Sequence, residues 1–302
     1  MVKQIIKSRI GQFFIRLVSG FLFIPYYIYA KRINLRILDA SKTVEYILNN
    51  NISVGRIGDG EFNIMFSDKS IGFQKASSKL KNELINLNAN NNFLLALPHG
   101  LETTREYNMK TKVFWWRYVT FNHKFLIHYS ENHGGEFLDT NFSRVVTEFK
   151  NKEAIDKVIK NVCRIWKNRN VIIIEGKFTR FGMNNDLLDN AKSVNRIIAP
   201  AENAYSKIDE IYKKTCEIAS NIENPIIVIS LGPTATILSY RLSPKYQSID
   251  IGHFDLQYEY LRRGYYHKVS INDRYDNEMK NGNKVKKNVD KYYKNQIRVV
   301  IE

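Results

Sequence analysis

The stretch "VGRIGDGEF" (54–62) sets Asp59 and Glu61 two residues apart, brackets the first with Gly58 and Gly60, and keeps Arg56 just upstream. Two carboxylates so spaced offer hard oxygen ligands of the kind that Mg²⁺ or Mn²⁺ accepts. The glycines let the backbone turn sharply and let a ligand approach closely. A tight turn with solvated charges satisfies the same pattern. The spacing alone does not decide, because Asp276 and Glu278 repeat it in a basic tail where it is assigned no role.

Other polar groups decide, if they gather at the same edge of the fold. "IIVISLGPTATIL" (226–238) reads as a strand, a turn at Gly232 and a helix beginning near Thr234, whose free N–H groups would face a ligand. The plainer alternative is a βα turn capped by Thr234 or Thr236. "IDIGHFDLQYEY" (249–260) ends a strand at Gly252 and then offers His253 and Asp255, against a plain reading of Asp255 as a helix cap and His253 as exposed. "IIIEGKFTRFGMNNDLLDNA" (172–191) follows a strand with Glu175, Arg180, Gly182, Asn185 and Asp186, and Arg196 and Asn203 flank the next one. In parallel α/β sheets ligands bind beyond the carboxyl ends of the strands, which is where all these groups are predicted to fall.

The elements that must hold them alternate. Short apolar runs at 52–57, 93–98, 171–176, 195–200, 225–230 and 246–252 read as buried strands, and helical periodicity occupies 77–88, 151–166, 204–221 and 234–242. This predicts an α/β, Rossmann-like fold, a mostly parallel sheet with helices on both faces, plus an N-terminal amphipathic helix. Residues 100–150, with Trp115, Trp116 and Phe121, break the alternation and are expected to form an insertion over the sheet edge. The two tryptophans are read as core aromatics ahead of a platform for an acceptor sugar.

With 44% hydrophobic and 13% aromatic residues in 302, the chain is folded, and disorder is excluded. A net charge of +16 favours phosphate-bearing or anionic partners. Cys163 and Cys216 stand alone, without partners at metal spacing, and read as reduced thiols of a cytoplasmic protein. The charge gathers at the ends. Residues 1–35 are predicted to be a membrane-surface amphipathic segment, with Ile6, Ile10, Phe13, Phe14, Leu17 and Phe21 on one stripe and Lys7, Arg9 and Arg16 on the polar face. Pro25 is expected to interrupt this helix, and a cleavable signal peptide is not expected. Residues 36–265 form the predicted catalytic domain and 266–302 a basic C-terminal extension.

The segments "RIGDGE", "EGKFTRFGMNNDLLDNA", "RIIAPAENAY", "SLGPTATILSY" and "DIGHFDLQYEY" together resemble the GT-D type glycosyltransferases, bacterial enzymes first grouped as a domain of unknown function. The resemblance runs in order from about residue 50 to about 262 and leaves both ends uncovered. It implies a UDP-hexose donor and a divalent metal, Mn²⁺ (or Mg²⁺), with the family's Asp-x-Glu falling on Asp59 and Glu61. The donor site would then take Arg56, Gly58, Gly60, Asn185, Asp186, Arg196, Gly232 and Thr234, with the two arginines as diphosphate contacts. His253 is a candidate third ligand or acceptor base, and Asp255 a candidate base.

These expectations make the chain a metal-dependent hexosyltransferase, peripheral on the inner membrane face. It would act on a lipid-linked or protein-linked glycan in bacterial surface polysaccharide or glycoprotein synthesis. An anionic membrane surface is an expected partner and nucleic acid is not. Two alternatives stay open: a non-catalytic basic protein that binds membrane or nucleic acid, and another metal-dependent phosphate-transfer enzyme.

Overall fold

The computed structural model describes residues 20–276, 279, 282, 285 and 290–302. The predicted stripe residues Ile6 to Leu17 lie outside the described residues. In chain order the elements are α1 (Phe23–Ile33), β1 (Arg36–Ile37), α2 (Ala40–Asn50), β2 (Ser53–Arg56), α3 (Asp59–Ser67), α4 (Ser78–Ile85), β3 (Phe93–Leu97), α5 (Met109–Asn132), β4 (Glu136–Asp139), α6 (Val145–Glu148) and α7 (Lys152–Cys163). They continue with β5 (Asn170–Gly176), β6 (Ser193–Ala199), α8 (Ile208–Ala219), β7 (Pro225–Ser230), α9 (Pro233–Leu242), β8 (Ser248–Asp250), α10 (Phe254–Arg262), α11 (Lys291–Asn295) and β9 (Ile297–Val300).

The strands form one sheet in the order β1-β4-β3-β2-β8-β7-β5-β6-β9, and every named pair is parallel. The central strands are apolar runs because helices cover the sheet: β7, for example, is buried along its whole length. Several helices start where a side chain accepts a backbone N–H: Asp39 for α2, Ser77 for α4, Asn108 for α5 and Asn151 for α7. Cys163 and Cys216 are free thiols.

Two expectations need correction. Residues 100–150 are not an insertion lying over the edge, for β4 enters the sheet between β1 and β3. The long α5 precedes it and packs on α1, with Tyr29 stacked on His123 at 3.9 Å and Phe23 edge-on to Trp116 at 5.4 Å. Residues 266–302 are not a mere extension either. Strand β9 pairs with β6, buried Arg274 is ion-paired with Asp255, and the Asp276 carboxylate accepts the Tyr260 hydroxyl at 3.0 Å. The helix does break just ahead of Pro25, as expected: residues 20 and 21 are helical, Leu22 is a turn, and α1 restarts at Phe23 with the proline in its first turn, where a missing N–H forfeits no bond within α1. Tyr26, Ala30 and Ile33 anchor that helix in the body, and among the described residues no helix is long and apolar enough to cross a membrane.

Candidate active site

A cavity of about 450 Å³ opens over the carboxyl ends of β2 to β8, walled by Arg56, Pro98, Thr140, Gly176, Pro200, Ser230 and Gly252, each at or just past one strand end. Parallel register brings these ends together, so residues as far apart in sequence as Arg56 and Gly252 share one wall.

The "GDGE" turn lies on this wall. Strand β2 stops at Arg56, Gly58 caps α3, and Asp59 and Glu61 fall in the first turn, where carboxylates suit the positive end of the helix. Asp59 is exposed to the cavity. Glu61 reaches back so that the Gly58 N–H donates to its Oε2 at 2.8 Å. Removal from water raises the Glu61 pKa to about 7; the Gly58 N–H opposes the rise, nearby Asp250 adds to it, and Arg56 works against it. The turn is therefore both a helix cap and a pair of cavity carboxylates.

Among the described residues no three His, Cys, Asp or Glu side chains gather into a ligand cage. Asp59 and the second Glu61 oxygen make a sparse, hard donor set. Such a set fits an ion shared with a substrate's phosphates, since Mg²⁺-like ions are commonly held by one or two carboxylates, phosphate oxygens and water.

Positive character faces these carboxylates. The Arg56 guanidinium is held by Asp250 Oδ1 at 3.1 Å and the Ser143 hydroxyl at 2.9 Å, while still lining the cavity. It packs so closely on Gly252, whose φ is +54°, that a side chain there would collide with it. Helices α3, α9 and α10 all begin at the cavity, with the cap residues Gly58, Gly232 and His253 in its lining. Three N-termini converging on one space favour an anion. Gly232 combines φ +54° with ψ −139°, a glycine-only conformation, and a Cβ there would run into the Phe73 ring.

The other predicted residues lie elsewhere. Thr234 is fully buried, its hydroxyl 3.4 Å from Gln74 Oε1, behind the wall rather than on it. Arg196 is 2% exposed and ion-paired with Glu175 at 2.7 Å, also donating to the Phe181 carbonyl and Gln296; it is a core cation, not a diphosphate contact. Asp255 is buried against Arg274 and accepts from the Gly182 N–H at 2.7 Å and the Asn185 amide at 3.3 Å, which leaves it no path to an acceptor hydroxyl. Asn185 also donates to Glu259, and Asp186 is a surface partner of Arg262. Together they brace the loop 177–191 rather than contact a donor.

Lys110, Asn141, Arg144 and Lys268 line the cavity and were not foreseen. Arg144 is tied to Glu148 at 3.0 Å. The signal for Asn141 and Arg144 was the polar run "DTNFSR" (139–144) directly after "EFL", legible only once 136–139 is read as a strand. Trp115 is buried as expected, yet it also forms part of the cavity wall, beside the half-exposed Phe114.

A parallel sheet with a carboxylate-bearing, anion-favouring cavity at its strand ends is the arrangement of an α/β fold whose ligand site lies beyond the strand ends. The profile described as "Glycosyltransferase GT-D fold" matches residues 54–279. The chain belongs to this family. It is 28% identical over 268 residues to a protein of Streptococcus gordonii named "Probable glycosyl transferase Gly", covering 87% of the chain and 38% of that protein. It is 30% identical over 249 residues to "Glycosyltransferase GlyD" of Streptococcus pneumoniae serotype 4, covering 81% of the chain and 30% of that protein. The chain thus spans about a third of the length of these relatives. Among solved structures, the domain of unknown function 1792 described as having "a distinct glycosyltransferase fold" superposes with a TM-score of 0.85 at 27% identity, covering 93% of this chain and 100% of that one. "A New Glycosyltransferase" from Streptococcus sanguinis gives 0.82 at 28% identity, covering 89% and 100%.

Proposed function

We propose that this chain transfers a hexose from a UDP-sugar to a glycan acceptor, with its diphosphate in the cavity and a Mn²⁺ or Mg²⁺ ion shared between that diphosphate and Asp59 and Glu61. The observation that carries this reading is the convergence on one cavity of two carboxylates, the Arg56 guanidinium and three helix N-termini. When bound, the ion would supply Lewis-acid stabilisation of the departing diphosphate.

The chain's own groups do the rest. Asp59 and Glu61 would hold the ion, and the Gly58 N–H that caps Glu61 would keep that side chain oriented toward it. Arg56, clamped by Asp250 and Ser143, presents a fixed positive charge to the developing negative charge, so little reorganisation is needed. As the bond from C1 to the diphosphate oxygen breaks, its electron pair goes to the diphosphate. The acceptor oxygen forms the new bond to C1 and gives its proton to a base, for which His253 on the cavity wall is the remaining candidate. The half-exposed Phe114 and the Trp115 ring give one side of the cavity an apolar rim suited to a sugar or lipid portion of an acceptor. A lipid-linked glycan on the inner face of the membrane, in surface polysaccharide synthesis, is the acceptor we favour.

The test is turnover of a panel of UDP-hexoses with and without EDTA. Divalent-dependent release of UDP from at least one donor supports the reading. Turnover indifferent to chelation, or none with any UDP-sugar, overturns it.

A further inference from the structure

Exposed apolar side chains are unevenly distributed. Of the thirteen large ones among the described residues, Phe21, Phe23, Ile24, Tyr27 and Ile28 sit on or beside α1, and Met109, Phe114, Phe121 and Phe125 sit on α5. These two helices pack on one another, and α5 begins in the cavity wall with Lys110 and Thr111. On α5 the exposed positions Phe114, Arg117, Phe121, Lys124, Phe125 and His128 recur at helical spacing, so they form one outward stripe.

The charges on this pair are almost all of one sign. Lys31, Arg32, Lys110, Lys112, Arg117 and Lys124 are its basic residues, and the first carboxylate on either helix is Glu131, at the far end of α5. Aromatic and aliphatic side chains interleaved with Lys and Arg, without acids, match an interfacial helix whose apolar face enters the headgroup boundary while its cations meet anionic lipid. A second copy is a poor occupant, because pairing this face with itself would oppose like charges with only Glu131, at the far end of α5, to compensate.

We propose that α1 and α5 together form a docking face for an anionic membrane, oriented so that the Phe114 rim of the cavity opens at the lipid surface. This deepens the membrane-acceptor reading above and rests on it for its biological sense, but the surface is testable without any chemistry.

The full chain is floated with vesicles of phosphatidylcholine containing phosphatidylglycerol, and with phosphatidylcholine alone. Variants are Phe121→Ser, at a side chain 70% exposed, Ile24→Ser, at one 62% exposed, and the double charge reversal Arg117→Glu/Lys124→Glu; Tyr292→Ser, at an equally exposed but distant site, is the control. Each basic residue near such a surface contributes roughly five-fold to partitioning, so the double reversal should weaken binding to the anionic vesicles by more than ten-fold. Phe121→Ser and Ile24→Ser should each weaken it several-fold. Thermal midpoints and UDP-sugar turnover in vesicle-free buffer should match the parent, which separates a failed docking face from a failed enzyme assignment. Unchanged vesicle binding in all three variants overturns the proposal. So does equal binding to neutral vesicles. A protein that ignores vesicles but forms a dimer broken by Phe121→Ser overturns it in favour of self-association.

Discussion

Replacing Arg274 by Ala tests whether the C-terminal region is structural and whether Asp255 is excluded from chemistry. Arg274 is 1% exposed at its side chain and donates to Asp255, to the Met183 carbonyl and, at 3.0 Å, to Asp273. Glu259 lies 3.9 Å away and is equally buried. Removing the guanidinium leaves the Asp255 charge in the interior with only the Gly182 N–H and the Asn185 amide as compensation. Breaking one partner of such a pair costs about 3–5 kcal/mol, a factor of roughly 10²–10³ or more in the folding constant. Urea unfolding followed by fluorescence gives the value. Adding Asp255→Asn should restore more than half the loss, because Asn neutralises the stranded charge and still accepts from Gly182. Asp255→Asn alone should leave donor turnover within about three-fold, well short of the loss expected for a general base. An Arg274→Ala protein within about 0.5 kcal/mol of the parent would refute the pairing argument. A stable Asp255→Asn protein that has lost turnover about 100-fold would return Asp255 to the reaction.

Glu61→Gln should flatten the pH dependence of stability. The folded pKa of about 7 lies above the usual 4.5, so between these values the folded chain holds a proton that the unfolded chain has released. That contribution is full below about pH 4.5 and is lost as pH rises through 7, a fall on the order of 1–3 kcal/mol that unfolding at several pH values should reveal in the parent and not in the variant. Gly232→Ala must force a side chain into φ +54° and against Phe73, so we expect a loss of about 1–3 kcal/mol in unfolding assays and a raised KM for donor. His253→Ala should lower kcat at least about 10²-fold if His253 is the acceptor base, with donor hydrolysis in the absence of acceptor largely spared. Loss of both reactions would instead mark it as a ligand.

The six apolar runs read from the sequence all became strands, since a strand covered on both faces must be apolar throughout and so announces itself. The strands that were missed lacked that signature. Strand β4 is four residues long and begins with an exposed Glu136 after a long helix, and β9 alternates Arg298 and exposed Val300 with half-buried partners at the sheet edge. An edge strand meets the core on one side only, and the lysine-rich residues before it hide the rest. The candidate site divided in the same way. Gly58, Asp59, Gly60, Glu61, Arg56, Gly232 and His253 are close to strand ends, and topology carries such residues to the cavity. Asp255, Asn185 and Arg196 look identical in sequence, but a turn of helix, a folded loop and the inner side of a strand turn them away from the cavity. Their partners, Arg274 and Gln296, come from the tail, which sequence alone gave no reason to place beside them.

Asp59 and Glu61 are proposed to bind a donor diphosphate through a shared divalent ion. Titration of UDP into the protein by calorimetry, with Mn²⁺, with EDTA, and with Asp59→Ala in Mn²⁺, addresses it without needing the acceptor. Binding should be measurable with Mn²⁺, with a Kd at least about ten-fold weaker in both other arms, at an unchanged thermal midpoint of the variant without metal. Equal affinity in all three arms would contradict it.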